Sequence, residues 1–259
     1  MLLCIDCGNT NTVMSVWDGT RFLATFRTAT EWQRTADQYF VWLSTLMEHK
    51  GVAWEIDEII ISSTAPRVLF NLRVFADRYC GCRPMVVGKP GCLLPHVPRV
   101  DPGTQVGPDR IVNTTAAFDR HGGNLICVDF GTATTFDVTA ADGAYVGGVI
   151  APGVNTSLES FHLAAAALPH IDITRPERVI GTNTIACMQA GVFWGYIGLT
   201  RYICDQIRAE YGQPMKIIGT GGLAPLFAQG DVLFDAIEDD LTMHGLTVIH
   251  KFNKDQDSI

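Results

Sequence analysis

Lysine is scarce in this chain. The 259 residues contain five, at positions 50, 89, 216, 251 and 254, and Lys plus Arg (19) fall short of Asp plus Glu (27), for a net charge of −8. No basic patch or stripe is visible, which excludes a non-specific nucleic-acid binder. No apolar run approaches the roughly 18–20 residues that a spanning helix requires. Long polar or repetitive tracts are missing too, and a hydrophobic content of 47% excludes disorder. The start, Met1-Leu2-Leu3-Cys4-Ile5-Asp6, lacks a cationic segment and does not read as a signal peptide. No Gly-x-x-x-x-Gly-Lys-Ser/Thr motif occurs, since Gly88-Lys89 runs into Pro90, and this disfavours a P-loop kinase.

Eight cysteines are present, scattered and not framing a small domain. Cys4, Cys7, Cys127, Cys187 and Cys204 sit in or beside apolar runs, where a reduced thiol packs as a small hydrophobe. A reduced, cytosolic protein is the expectation. Cys80, Cys82 and Cys92 are either loop thiols or, with His96, a metal site. Trp32, Trp42, Trp54 and Trp194 read as core or interface residues.

Leu2 to Ile5 reads as a short buried strand that leads into Asp6-Cys7-Gly8-Asn9-Thr10-Asn11-Thr12. Val13 to Trp17 is β-prone and ends at Asp18-Gly19, a hairpin signal, with Arg21 to Arg27 as the return strand. The same grammar recurs at Asn124 to Val128, Asp129-Phe130-Gly131-Thr132-Ala133-Thr134-Thr135, Asp142-Gly143 and Ala144 to Ile150. The repeat predicts an internal duplication, with domains 1–118 and 119–259. Helices are expected over 37–50, 66–79, 110–118, 157–167 and 185–211, the last containing Gly191, Gly195 and Gly198 for close packing against either the second domain or a partner chain. Strands are expected at 58–62, 85–87 and 216–218, giving an α/β fold with mixed sheets.

A turn of glycines and hydroxyl residues after a buried strand offers N–H and O–H donors to an anion. Asp6 and Asp129 would repel a phosphate directly, so a cation or water must intervene, and Mg²⁺ suits that role. Gly219-Thr220-Gly221-Gly222 follows a third strand and offers a flat backbone platform for an adenosine moiety. In Val106-Gly107-Pro108-Asp109-Arg110, the acid is either a general base with an anion-holding Arg beside it, or a helix cap followed by a solvated Arg.

In this order, Asp6-x-Gly8-Asn9-Thr10, Gly107-x-Asp109-Arg110, Asp129-x-Gly131-Thr132-Ala133-Thr134-Thr135 and Gly219-Thr220-Gly221-Gly222 resemble the motif set of the type III pantothenate kinases. Ser62-Ser63-Thr64-Ala65-Pro66, Gly147 to Gly153 and Gly181-Thr182-Asn183-Thr184 match as well. The resemblance implies two ribonuclease-H-like, actin-like ATPase domains with ATP in an interdomain cleft. It implies phosphorylation of the pantothenate 4′-hydroxyl, the first step of coenzyme A biosynthesis, by a homodimer that uses Mg²⁺ and K⁺ or NH₄⁺. It further implies Asp109 as proton acceptor and Gly107, Pro108, Asp109, Arg110 and Thr184 at pantothenate. Asp6, Cys7, Gly8, Asn9, Thr10, Asn11, Thr12, Val13, Thr132, Gly221 and Gly222 would contact ATP. Asp129 would lie at the monovalent cation and Asp6 at Mg²⁺ through water. The family usually carries a tyrosine shortly before Gly-x-Asp-Arg; Arg99-Val100-Asp101-Pro102 stands there instead. Weak or no inhibition by coenzyme A is a further implication. The competing readings are a kinase of another small acceptor and a nucleotide-binding regulatory protein without phosphotransfer.

Overall fold

The first strand, β1 (Leu2–Cys7), is apolar at every position but Asp6, as a strand covered on both faces must be. It belongs to a computed structural model that describes residues 1–164, 168–229 and 233–257. The chain divides into one unit of Met1–Asp119 with Leu241–Ile259 and a second of Arg120–Asp240.

In the first unit β1 pairs antiparallel with β2 (Asn11–Trp17), which pairs antiparallel with β3 (Phe22–Ala29). On its other edge β1 runs parallel to β4 (Glu58–Ser63), and β4 to the short β5 (Met85–Val86), giving the order β3-β2-β1-β4-β5. Alternation along β1 splits its side chains between two cores. Leu3, Ile5 and Cys7 pack with Tyr39, Leu43 and Met47 of α1 (Ala36–His49) and with Val68, Leu72 and Phe75 of α2 (Pro66–Phe75). Leu2 and Cys4 face the other way, toward Ile111 and Val112 of α3 (Pro108–His121) and Met243, Leu246 and Ile249 of α7 (Leu241–Asp257). The period of two puts Asp6 on this second face. Helix α1 opens with a capping box, in which the Gln38 N–H donates to Thr35 Oγ1 (3.3 Å) and the Thr35 N–H to Gln38 Oε1 (2.8 Å).

The second unit repeats the plan. β6 (Leu125–Phe130) pairs antiparallel with β7 (Ala133–Thr139), β7 with β8 (Tyr145–Pro152), and β6 runs parallel to β9 (Lys216–Thr220), which pairs with β10 (Ala236–Ile237). The order β10-β9-β6-β7-β8 is that of the first sheet, and both second strands carry a register irregularity one residue before their hairpin end. Ile126, Val128 and Phe130 pack on α5 (Thr184–Tyr211) and on Phe227 of α6 (Ala224–Phe227). The duplication read from the sequence is therefore present strand for strand.

Several expectations need correction. A division at 118/119 puts the last nineteen residues with the second half, yet α7 packs against β1 and β4. The helix expected over 66–79 is α-helical only to Phe75, and a wider π turn carries it to Cys80, where left-handed Gly81 ends it. The helix expected over 157–167 begins earlier, as α4 (Val154–Ala164), and 165–167 lie outside the described residues. Trp32 is 60% exposed and so is not a core residue. A Cβ at Gly191, Gly195 or Gly198 would meet open space, so these glycines serve no close contact among the described residues. All eight cysteines are free thiols, and among the described residues no cluster of three metal-ligating side chains forms. His96 instead sets its ring edge-on to Phe118. No helix of the described residues is long and apolar enough to cross a membrane.

Candidate active site

The first turn closes through the Gly8 N–H, which donates to the Asn11 carbonyl (2.9 Å), and the Thr30 N–H, which donates to that of Thr10 (2.9 Å). Asn9 and Thr10, at the tip of the turn, are exposed. Cys7 and Thr12 point inward instead: both are fully buried, and Thr12 Oγ1 donates to Cys7 Sγ (3.3 Å). Any contact these two make with a nucleotide is through backbone. Val13 packs partly into the core beneath α3 and α7. The Thr64 N–H donates to the Cys7 carbonyl (3.0 Å), which lays Ser62-Ser63-Thr64 alongside the turn.

Register places Asp6 opposite Ser62 on one side and Val13 on the other, with Arg27 beyond Val13 on β3. These four residues form a row across one face of the sheet. Burial pushes the Asp6 carboxyl up to about 6, and repulsion from Asp109 adds to this, while Ser62 and the Arg27 charge pull it down. Arg27 belongs to no linear motif, and although Ser62 opens the Ser62-Ser63-Thr64-Ala65-Pro66 match, only the strand register reveals that both share the row of Asp6.

Asp109 enters this face from the first turn of α3, which begins two residues earlier than helical periodicity predicts. Its carboxyl is raised by burial, with the adjacent Arg110 and backbone N–H groups opposing. Asp109 Oδ1 is buried with no hydrogen-bond partner in the structure, a cost that native proteins rarely accept outside functional sites. A Cβ at Gly107 would stand 2.5 Å from that oxygen, so the glycine is required by the placement of the acid. Two carboxyls, each raised chiefly by burial and with Asp109 raising Asp6 further, are a donor set suited to a cation or to a proton from a bound hydroxyl.

The second unit carries a matching row: Thr220, Asp129, Thr135 and Ile150. Here three separate motifs converge. Gly221 has φ +88°, and a Cβ on it would lie 2.5 Å from Asp129 Oδ1 and 2.7 Å from the Phe130 nitrogen. The glycine turn after β9 therefore rests directly on the Asp129-Phe130-Gly131 turn, with Gly222 beside it and open to solvent. A Cβ at Gly153 would strike the Thr132 carbonyl at 2.1 Å, and Thr156 Oγ1 donates to that same carbonyl (2.9 Å). Thr132 itself is exposed. Thr184 opens α5 and is exposed; Asn183 caps that helix by accepting from the Ala186 N–H (2.9 Å). A Cβ at Gly181 would lie 2.4 Å from the Cys187 nitrogen, so the Gly181-Thr182-Asn183-Thr184 run is built as a helix start.

Asp6, Gly107, Asp109 and Arg110 thus lie in the first unit with the first turn, and Asp129, Thr132, Thr184, Gly221 and Gly222 in the second. The paired rows describe a fold that uses one strand-turn-strand device twice. A solved structure with the same arrangement is the ROK hexokinase of Thermus thermophilus, with a TM-score of 0.52 at 12% identity over 98% of this chain and 99% of that one. That likeness shows the fold, which is the one shared by sugar kinases and actin-like ATPases. Sequence relatives are far nearer. The chain is 71% identical to the type III pantothenate kinase of Roseobacter denitrificans over 98% of its length and 99% of the relative's. It is 68% identical to that of Ruegeria pomeroyi over the full length of both. The family model for type III pantothenate kinase matches residues 2–206, which takes in both Asp-x-Gly turns, the Asp109 helix and the start of α5, and on these grounds the chain belongs to the type III pantothenate kinase family.

Proposed function

We propose that this chain transfers the γ-phosphate of ATP to the 4′-hydroxyl of pantothenate, with Asp109 as general base. The observation that carries the reading is the state of Asp109: a partly buried carboxyl, raised by desolvation, with a buried oxygen left unpaired at a glycine-lined helix start. A carboxylate so placed gains by accepting a proton from a hydroxyl, and phosphoryl transfer otherwise asks for positioning and charge neutralisation. Gly107, Pro108 and Arg110 frame the acceptor, with Arg110 as the charge that orients its carboxylate or the transferring phosphate. The backbone from Gly8 to Asn11 and the exposed Thr132 receive the phosphates, and Gly221 and Gly222 the adenosine. Arg27, absent from any motif, is positioned to offset negative charge near Asp6.

Asp6 fits a water-mediated Mg²⁺ site, since its buried carboxyl and that of Asp109 repel one another and a cation relieves both. Magnesium supplies charge neutralisation on the phosphates when bound. Asp129, seated under Gly221, is the candidate for the monovalent cation, K⁺ or NH₄⁺. The domains of the reading are two ribonuclease-H-like folds, each bearing one turn. A homodimer in the cytosol completes it, with Thr184 reaching the acceptor of the neighbouring copy. The open row of Gly191, Gly195 and Gly198, which continues to Tyr202 at 66% exposure on the same helix as Thr184, supports that assembly.

The test is ADP release with Mg·ATP and pantothenate, in K⁺ and in Na⁺, for wild type and Asp109→Asn. Pantothenate-dependent release that requires K⁺ and falls by about 10²–10⁴-fold in the variant is expected. ATP binding with no pantothenate-dependent release in either salt would leave another acceptor's kinase, or a nucleotide-binding regulatory protein, in its place.

A further inference from the structure

Gly88-Lys89-Pro90-Gly91 is not a P-loop, and phosphoryl transfer as described above makes no use of it. In the fold it does something else. Two successive turns pin Lys89: its N–H donates to the Val86 carbonyl (3.1 Å), and its carbonyl accepts from the Cys92 N–H (3.1 Å). Gly88 and Gly91 supply the left-handed backbone those turns need, at φ +75° and +90°. The result is a cavity of about 590 Å³ beside β5, the terminal strand of its sheet, with Lys89, Arg73 and Arg83 in its wall and Asp77 as its one acid. All the lining residues fall between 73 and 91, within the first unit.

The charge here is unusual for this molecule. In a chain with net charge −8, three of its 19 cationic residues converge on one cavity. Among the described residues none of the three side chains forms an ion pair or hydrogen bond, whereas Arg78, a near neighbour in sequence, is paired with Asp37 at 2.7 Å. With Asp77 as the one offsetting charge, the wall keeps a net charge of +2 (three cations less one acid), a potential that favours an anion. The volume lies within the range of small-molecule sites. Pro84, Met85 and Pro90 provide apolar walls for an organic remainder.

We propose that this cavity binds a small phosphorylated organic anion, at a site sharing no residue with the phosphoryl-transfer machinery. A phosphate group concentrates two charges and three acceptor oxygens on one centre, which matches two guanidinium forks and an ammonium better than separated carboxylates do.

The experiment uses the full chain, isotope-labelled, titrated with inorganic pyrophosphate at 0.15 M salt and read by amide resonances. Shifts at Met85, Val86, Lys89 and Gly91 report this cavity, and shifts at Gly8 and Gly131 report the phosphate turns separately. Saturable shifts at the first group are expected, at least tenfold weaker in an Arg83→Glu/Lys89→Glu double variant whose pantothenate-dependent ADP release matches wild type. Citrate is expected to bind at least tenfold more weakly than pyrophosphate. Absence of saturable shifts at the cavity, or shifts indifferent to the double variant, would overturn the site. Citrate binding as tight as pyrophosphate would overturn the phosphate assignment.

Discussion

At the scale of single residues, Asp6 shows what a carboxyl held at a buried sheet face costs the fold. Its carboxyl rises from the usual 3.8 to about 6, chiefly through burial, so the folded chain favours the protonated form more than the unfolded chain does. The sign follows. The contribution is fully present below about 3.8 and is lost as pH rises through about 6, so near neutrality the ligand-free protein carries the cost of a buried carboxylate. Replacing Asp6 with Asn removes that cost. In magnesium-free buffer at pH 8 the Asp6→Asn protein is expected to be more stable than wild type by about 1–3 kcal/mol, with the gap closing toward pH 4. Calorimetry at both pH values checks this, and a wild type at least as stable at pH 8 would mean that the folded protein already compensates the charge. The identity of Asp6 was legible in the sequence because an acid two residues before a glycine ends a buried strand. Its adjacency to Ser62 and Arg27 was not. Ser62 lies 56 residues away and Arg27 21, and only strand pairing brings them into its row.

Among elements, α7 is the least legible and one of the most consequential. Apolar residues at 241, 243, 246 and 249 do form a stripe, but Gly245 interrupts it and Asn253 extends the buried face with a polar side chain. Both exceptions have structural causes. A Cβ at Gly245 would lie 2.2 Å from the Val112 carbonyl, so only glycine lets α7 approach α3 so closely. Asn253 Oδ1 accepts from the Leu93 N–H (2.7 Å) and its Nδ2 donates to the Leu93 carbonyl (2.9 Å), satisfying the proline-rich loop between β5 and α3. Each feature that hides the helix from a periodicity reading is a tertiary contact. Since α7 covers the face that bears Asp6 and Asp109, Leu246→Ala is expected to lower stability by about 2–5 kcal/mol, Leu246 being fully buried there. Chemical denaturation measures the loss. A change below about 1 kcal/mol would show that α7 contributes little to its unit.

At the scale of the whole molecule, the sequence disclosed the duplication because each copy repeats a buried strand, an acid-glycine turn and an Asp-Gly hairpin. It did not disclose that the copies differ in the turn itself. Between the last paired residues of the two strands the first turn has four residues, Gly8 to Asn11, and the second three, Gly131 to Ala133. The longer turn exposes Asn9 and Thr10 at its tip, and the shorter one is braced by Gly153, Thr156 and Gly221.

Assembly is the remaining question at this scale. Helix α5 carries Gly191, Gly195 and Gly198 with open space where a Cβ would stand, and they share a face with exposed Tyr202 at helical spacing. Glycines cost helix stability of about 1 kcal/mol each relative to alanine. Three on one exposed face, serving no contact among the described residues, are accounted for when a second backbone lies against them. Exposed Ile150, Leu163, Ile180 and Ile185 in the same unit add apolar surface that water alone would cover. Sedimentation is therefore expected to give twice 28.3 kDa for the wild type, and Gly195→Glu is expected to give a folded monomer. Because Thr184 heads the same helix and is proposed to serve the neighbouring copy, that monomer should still bind ATP while losing most pantothenate-dependent turnover. A wild type that sediments at 28.3 kDa while turning over pantothenate would remove both the dimer and the shared acceptor site. A Gly195→Glu monomer with full turnover would remove only the sharing, and would place the acceptor site within a single chain.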